Sequence, residues 1–367
     1  MPQPEPLISA DSHICEIEAC YADIDPKFRN SRPKAIFDEK AGAMLEIADL
    51  GMKVPMGLVC TGGRPPEDFA RAVPWEELHP AGFDPKERLV IQDSEGVLAE
   101  VLYPSLGMML CLHPDIDYKK ACFDAYNRWL SEFCALDPER LIGVGQASLR
   151  TVDEGIEELH TIVKQGFRSV LLPGDPTVED YDDPCYDPFW QTCVDLGLPV
   201  SFHILTTKDG IMERIRGNSN LVRQINTVRG VQNIVMVMIL GGVFDRHPDL
   251  RIVCVEADAG WVPHFKFRLD HAYERHRHHL STTELQRMPG EYMDENVYVT
   301  FQDDYSVKYI TGGLEMSRVM WATDFPHSDG TYPYTREVVE QVTEGLSSRD
   351  RDALLRDNAA ALYGISL

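Results

Sequence analysis

Residues 142–172 read IGVGQASLRTVDEGIEELHTIVKQGFRSVLL. The first run, Ile142–Ala147, and the last, Arg168–Leu172, are short, apolar and rich in strand formers. Between them Val152–Lys164 has the spacing of an amphipathic helix. A strand, a helix and a second strand in this order form a βαβ unit, whose strands pair in parallel.

Working outward from this unit, the same alternation recurs along the chain. The strand candidates are Leu7–Ala10, Val97–Tyr103, Ile142–Ala147, Arg168–Leu172, Pro199–Ile204, Arg251–Val255, Val297–Phe301 and Val319–Thr323. Most are followed by an amphipathic stretch such as Tyr118–Leu136. Eight such runs predict an α/β fold, a distorted (β/α)8 TIM barrel, and 367 residues suit one domain spanning 1–367. The gap between the first two runs is too long for one helix. It holds a hairpin-like stretch, Lys34–Leu50, and loops around Gly62-Gly63-Arg64-Pro65-Pro66. Residues 28–85 therefore read as an insertion after strand 1 that covers the substrate. Together with 205–220 this segment is expected to set specificity, in a code that the residues do not spell out.

Composition narrows the partners. Lys and Arg number 35 against 59 Asp and Glu, a net charge of −24 that repels phosphate backbones and anionic lipid headgroups. Neither nucleic acid nor a membrane is expected. The nine cysteines show no C-x-x-C pair and no regular spacing, so they read as reduced thiols. No run reaches the length of an apolar span, and the start lacks a leader pattern, so the expected setting is the cytoplasm.

Residues able to carry chemistry stand at the ends of the strand candidates. The first run leads into Ala10-Asp11-Ser12-His13, where the two-residue period of a strand puts Asp11 and His13 on one face. They read either as a pair of metal ligands or as a helix-capping aspartate and a loop histidine. The fifth run ends on His203, a metal ligand or a core histidine satisfied by backbone groups. The eighth leads through Trp321-Ala322-Thr323 to Asp324, a ligand or a helix cap. Three ligand-type groups at the C-terminal ends of strands in one barrel favour the metal. Glu256 closes the sixth run in the same way, as a ligand, a base beside the metal, or the partner of an arginine such as Arg268. Asp303 and Asp304 follow the seventh run and read as site assistants or as caps. His271, His276, His278 and His279 read as the solvated face of one polar helix.

Three phrases carry a resemblance: Ile8-Ser9-Ala10-Asp11-Ser12-His13, Gly241-Gly242-Val243-Phe244-Asp245-Arg246-His247-Pro248-Asp249-Leu250, and Trp321-Ala322-Thr323-Asp324-Phe325-Pro326-His327. With Ala125–Leu130 and Tyr186–Trp190, they make the chain similar to the amidohydrolase-related family that includes aminocarboxymuconate semialdehyde decarboxylase. The resemblance covers most of the chain. It implies one divalent metal ion held by Asp11, His13, His203 and Asp324, with His203, Asp324 and Glu256 as catalytic groups. The family's decarboxylases use histidine as an acid/base where this chain has Glu256. A carboxylate replaces it as a proton donor near neutral pH only when burial or a nearby anion raises its pKa. Asp11 stands where the familiar decarboxylase has histidine, and hard oxygen ligands extend the metal choice from zinc to manganese.

The resemblance also assigns Arg268 to a substrate carboxylate, in some members across a dimer interface, and places His327 beside the substrate. The implied protein is a homodimeric, non-oxidative decarboxylase of a small aromatic or unsaturated carboxylic acid. A metal-dependent hydrolase of a lactone, amide or C–C bond is the alternative within the fold, and an inactive binding protein on the same barrel is the alternative outside enzymology.

Overall fold

The βαβ unit forms where it was expected. Helix Val152–Lys164 starts at Thr151, whose hydroxyl accepts the Glu154 N–H at 3.2 Å. It buries Gly155, Leu159 and Ile162, and Gly166, at φ 89°, turns the chain back toward the next strand. The computed structural model describes residues 5–69, 71–208, 218–219 and 221–367. Residues 209–217 and 220, part of the expected specificity loop, lie outside the described residues.

All eight strand candidates form strands: β1 (Leu7–Ile14), β2 (Val97–Pro104), β3 (Leu141–Gly143, continued by Gly145–Gln146), β4 (Val170–Leu171), β5 (Val200–His203), β6 (Ile252–Val255), β7 (Val297–Phe301) and β8 (Val319–Trp321). Neighbours pair in chain order, and every one of these pairs is parallel. β3 changes partner at Val144, whose N–H goes to Leu102 of β2 while Gly145 N–H goes to Ser169 beside β4. A Cβ on Gly143 or Gly145 would stand 2.6 and 2.9 Å from the Phe167 ring, so the chain passes there only as glycine. At the other edge, the Asp324 N–H donates to Asp11 O at 3.0 Å and the His13 N–H to Phe325 O at 2.7 Å, joining β1 to the segment after β8.

Two apolar layers follow from the strand alternation. Ile8, Ala10, Ala99, Val101, Tyr103, Val253, Val255 and Met320 pack together on one side of the strands, and Tyr363 and Ile365 of the C-terminal segment pack with them. Leu7, Leu102, Val200, Phe202, Ile252, Cys254 and Trp321 face outward into the helices. The longer helices up to His276 are α1 (Pro85–Glu95), α2 (Ile116–Cys134), α3 (Val152–Lys164), α4 (Asp187–Asp195), α5 (Val228–Leu240) and α6 (Val262–His276). α2 starts two residues before the expected Tyr118, because Asp115 accepts the Asp117 and Tyr118 N–H groups at 3.0 and 3.1 Å and caps it there. α6 ends at His276, so His278 and His279 lie beyond the single helix expected for the four histidines. His276, His278 and His279 are exposed, as a solvated face requires.

Within residues 28–85 the chain forms a small antiparallel sheet of Lys34–Asp38, Gly42–Glu46 and Lys53–Pro55. The hairpin read in the sequence thus has a third strand. The segment reaches the barrel through Gly62, whose N–H donates to Pro326 O at 2.9 Å, and Leu58 O, which accepts the Ser328 N–H at 2.9 Å. All nine cysteines are free and only Cys185 is exposed. Among the described residues no helix is long and apolar enough to cross a membrane.

Candidate metal centre

Strict alternation along β1 would turn Asp11 and His13 outward, because Ile8 and Ala10 already face inward. An irregularity in the β1–β2 register between Ser9 and Ser12 shifts the phase, and both side chains enter the interior fully buried. His203 reaches the same space from the end of β5, on the inward parity shared by Ser201, whose hydroxyl meets Tyr103 OH at 2.9 Å. Asp324 and Glu256 arrive by a different device. Both hold left-handed backbone, φ 55° and 54°, a conformation that costs a non-glycine residue of order 1 kcal/mol and concentrates at functional sites.

The His13 Nε2 lies 3.2 Å from Asp324 Oδ1, 3.4 Å from Asp11 Oδ1 and 3.7 Å from Glu256 Oε2. The His203 Nε2 lies 3.5 Å from Glu256 Oε2 and 3.7 Å from Asp11 Oδ1. The opposite ring nitrogens are occupied: His13 Nδ1 meets Pro104 O at 3.1 Å and His203 Nδ1 meets Ile204 O at 3.0 Å. A carbonyl accepts only a proton, so each ring carries a hydrogen on Nδ1 and turns Nε2 inward, where the facing carboxylates favour a proton or a cation on it. His327 stacks on His13 with centroids 3.8 Å apart, its Nδ1 2.9 Å from Asp324 Oδ1 and its Nε2 2.9 Å from Ser105 Oγ.

Of the four expected ligands, Asp11, His13 and His203 meet together with Glu256, whereas Asp324 meets His13 beside Glu256 and His327. Asp11, His13, His203 and Glu256 form one group with ligand atoms within 4.8 Å of one another, and His13, Glu256, Asp324 and His327 form a second. Glu256 belongs to both groups. Both oxygens of Asp11 and Asp324, the Nε2 atoms of His13 and His203, and Glu256 Oε2 are buried without a hydrogen-bond partner. Orphaned acceptors at this density are costly unless something positive sits among them. Their mixture of imidazole nitrogen and carboxylate oxygen fits a divalent ion such as zinc or manganese.

Charge follows the same geometry. Burial opposes ionisation of Asp11 and Asp324, but the facing imidazoles outweigh it and hold both carboxyls below their ordinary range. Burial also opposes the charged form of His13, and Asp11 and Asp324 more than offset it, raising its pKa well above the usual value. Burial, then Asp324 and Asp11, push Glu256 well up. Of the six side chains only Glu256 and His327 open to the outside, at 14% and 8% exposure; the other four are at 0%.

The remaining candidates fall elsewhere. Arg268 lies exposed on α6 and takes part in none of these contacts, so the proposed pairing with Glu256 does not form. Asp304 is a structural cap: its carboxylate accepts Ala259, Gly260 and Ser306 N–H groups. Ser105 escaped the sequence reading although it follows the end of β2, where the rule used for the other strands applies. Arg88 and Glu100 also escaped it. They are buried beneath the site, and the polar pair Arg88 and Gln92, four residues apart on the buried face of α1, was the available signal.

A sequence profile of the amidohydrolase family matches residues 113–365. Gamma-resorcylate decarboxylase of Rhodococcus jostii (strain RHA1) is 26% identical over 322 residues, which cover 81% of this chain and 93% of that protein. An amidohydrolase from Mycobacterium avium subsp. paratuberculosis K-10 superposes with a TM-score of 0.83 at 21% identity, over 98% of this chain and 100% of that one. A 5-carboxyvanillate decarboxylase from Novosphingobium aromaticivorans DSM 12444, complexed with manganese and 4-hydroxy-3-methoxy-5-nitrobenzoic acid, superposes at 0.66 and 18% identity over 99% and 97% of the two chains. At these identities the structural likeness carries the fold alone.

Proposed function

The chain belongs to the amidohydrolase family, and we propose that it is a metal-dependent, non-oxidative decarboxylase of a small aromatic or unsaturated carboxylic acid. The carrying observation is the knot of orphaned, buried ligand atoms at the ends of the strands. The decarboxylase names of its relatives supply the reaction class.

In this reading Asp11, His13, His203 and Asp324, all fully buried, hold one divalent ion, zinc or manganese. A divalent ion held there would supply Lewis acidity that favours the negative charge developing on the substrate. The reaction needs a proton at the carbon that loses its carboxylate, because the electron pair of the broken bond stays there. Glu256 opens toward the substrate side and carries that proton. His327, fixed by Ser105 and Asp324, presents its ring face beside the substrate. Asp324 takes part in proton transfer through its contact with His327, and His203 keeps the tautomer that its Ile204 partner dictates.

The eight strands are read as a closed, distorted barrel within one domain, 1–367, with 28–85 as its cover; the β1 bonds to the segment after β8 support closure. Unfolding in two separate transitions would contradict a single domain. The free cysteines support a cytoplasmic setting, which localisation of a tagged chain tests. A homodimer is proposed, with Arg268, exposed and clear of its own chain's centre, reaching a substrate carboxylate at the partner's site.

The deciding experiment incubates manganese- or zinc-loaded protein with a panel of hydroxybenzoates and related unsaturated acids in deuterated water. The expected products are carbon dioxide and an arene deuterated at the former carboxylate position, with turnover lost in the chelated protein and in Asp324→Asn. Entry of labelled water oxygen into the product would replace this reading with hydrolysis. Purified protein that takes up no divalent metal would overturn the enzyme reading altogether.

A further inference from the structure

Below the centre lies a buried ion pair with no role in the chemistry above. Arg88, on α1, is 0% exposed and Glu100, on β2, is 3% exposed. The Arg88 Nε–H donates to Glu100 Oε2 at 2.6 Å, and Gln92 Nε2 donates to the same oxygen at 2.8 Å. The other Glu100 oxygen accepts Ser12 Oγ–H at 3.0 Å, from the residue between Asp11 and His13.

The rest of the guanidinium is spent on backbone. Nη1 donates to His13 O at 2.8 Å and to Ala81 O at 3.2 Å, and Nη2 donates to Phe325 O at 3.0 Å. The Phe325 ring lies against the guanidinium, 4.8 Å from Cζ to its centroid. His13 carries one expected ligand and Phe325 adjoins another, Asp324. These carbonyls come from opposite ends of the chain, and one rigid planar fork holds both. Ser9, Ser12 and Thr323 lock the same junction. Ser9 Oγ donates to Asp11 O at 2.8 Å and Ser12 Oγ to Glu100, so the Thr323 hydroxyl, 2.8 Å from Ser12 Oγ and 3.0 Å from Ser9 Oγ, donates its one proton to one of the two.

An ion pair kept only to fill the core needs its partner and burial. This one also fixes the backbone separation between β1 and the segment after β8, on which the spacing of His13 and Asp324 depends. Metal affinity is sensitive to ligand placement at the level of tenths of an ångström. We propose that Arg88, clamped by Glu100, is a positioning residue that sets the spacing of His13 and Asp324 and thereby the affinity for the divalent ion. This inference rests on the metalloenzyme reading.

The test compares the full-length wild type with Arg88→Lys, Ser12→Ala and, as a control, Ile162→Val, which removes one methyl group from the buried face of α3. Manganese affinity is measured by calorimetry on chelator-stripped protein, and thermal unfolding is followed in parallel without metal. Lysine keeps the charge but cannot bridge two carbonyls and Glu100 together. Arg88→Lys is expected to bind manganese about 10- to 100-fold more weakly, the range for residues that orient metal ligands. Ser12→Ala should move the same way by a smaller factor, and Ile162→Val should lower the unfolding temperature while keeping wild-type affinity. Wild-type affinity in Arg88→Lys, or an equal loss of affinity in Ile162→Val, would overturn the proposal. If Arg88→Lys does not fold, Ser12→Ala decides. A wild type that binds no manganese or zinc sinks the metalloenzyme reading itself, which is a distinguishable result.

Discussion

Glu256 is the residue at which the site departs from the pattern it resembles. A histidine at the end of the sixth strand would donate a proton near neutral pH with little help, whereas a carboxyl needs its surroundings to keep it protonated. Burial and the carboxylates of Asp324 and Asp11 act in that direction, with His13, and a cation held beside it, pulling the other way. Position gives the stronger argument: Glu256 opens outward at 14% while Asp11, His13, His203 and Asp324 are sealed. Glu256→Gln keeps the shape and removes the transferable proton. It should lower kcat by about 100- to 10,000-fold, the usual weight of a general acid, and leave metal content near one ion per chain. Loss of metal in Glu256→Gln comparable to that in Asp324→Asn would make Glu256 a ligand instead. Asp11, His13, His203, Glu256 and Asp324 were readable as candidates because each ends or follows an apolar strand, whereas His327 came only with the resemblance. Ser105 obeys the same rule and was passed over. Arg88 left only the signal of its pairing with Gln92 on one face of α1, because its importance lies in which carbonyls it touches, and those contacts join segments that only the folded chain brings together.

Among the elements, the strands were the most readable part, since buried parallel strands are near-continuous apolar runs. Their ends were less so. β1 runs on through Asp11–His13, polar residues that the apolar pattern cannot assign to a strand, and the register irregularity that turns two of them inward leaves no mark in composition. Residues 28–85 were visible only as a gap and a hairpin, because the pairing of Lys53–Pro55 depends on a partner strand whose inner face is buried by other elements. How this segment meets the loop carrying His327 yields a prediction at the element scale. Gly63 has φ 89°, and a Cβ there would stand 3.1 Å from Pro333 and 3.2 Å from the Tyr332 ring. Gly63→Ala should cost about 1–2 kcal/mol in backbone strain and push the cover off that loop. The expected result is a lower unfolding temperature and a KM raised several-fold, with manganese affinity unchanged. A destabilised variant with wild-type KM would show that residues 28–85 do not shape the substrate pocket.

At the scale of the whole molecule, charge and assembly oppose each other. Every chain carries a net −24, so two copies repel at long range, and a stable pair must be held by short-range contacts. The described surface offers such groups: Phe267, next to Arg268, is 57% exposed, and elsewhere Tyr305 and Tyr309 are 63% and 73% exposed. Aromatic side chains and arginine are the groups that dominate protein interfaces. Salt then distinguishes this interface from one held by ion pairs. Raising the salt from about 0.05 to about 0.5 M shortens the screening length to below about 10 Å, weakening the repulsion between chains while leaving apolar contact intact. Light scattering should report a mass of twice 41.5 kDa, with a dissociation constant that falls as salt is added. A dissociation constant that rises with salt would mean that charge pairing holds the dimer, and a mass of one chain at all protein concentrations would remove the dimer and with it the reach of Arg268 into a partner's site.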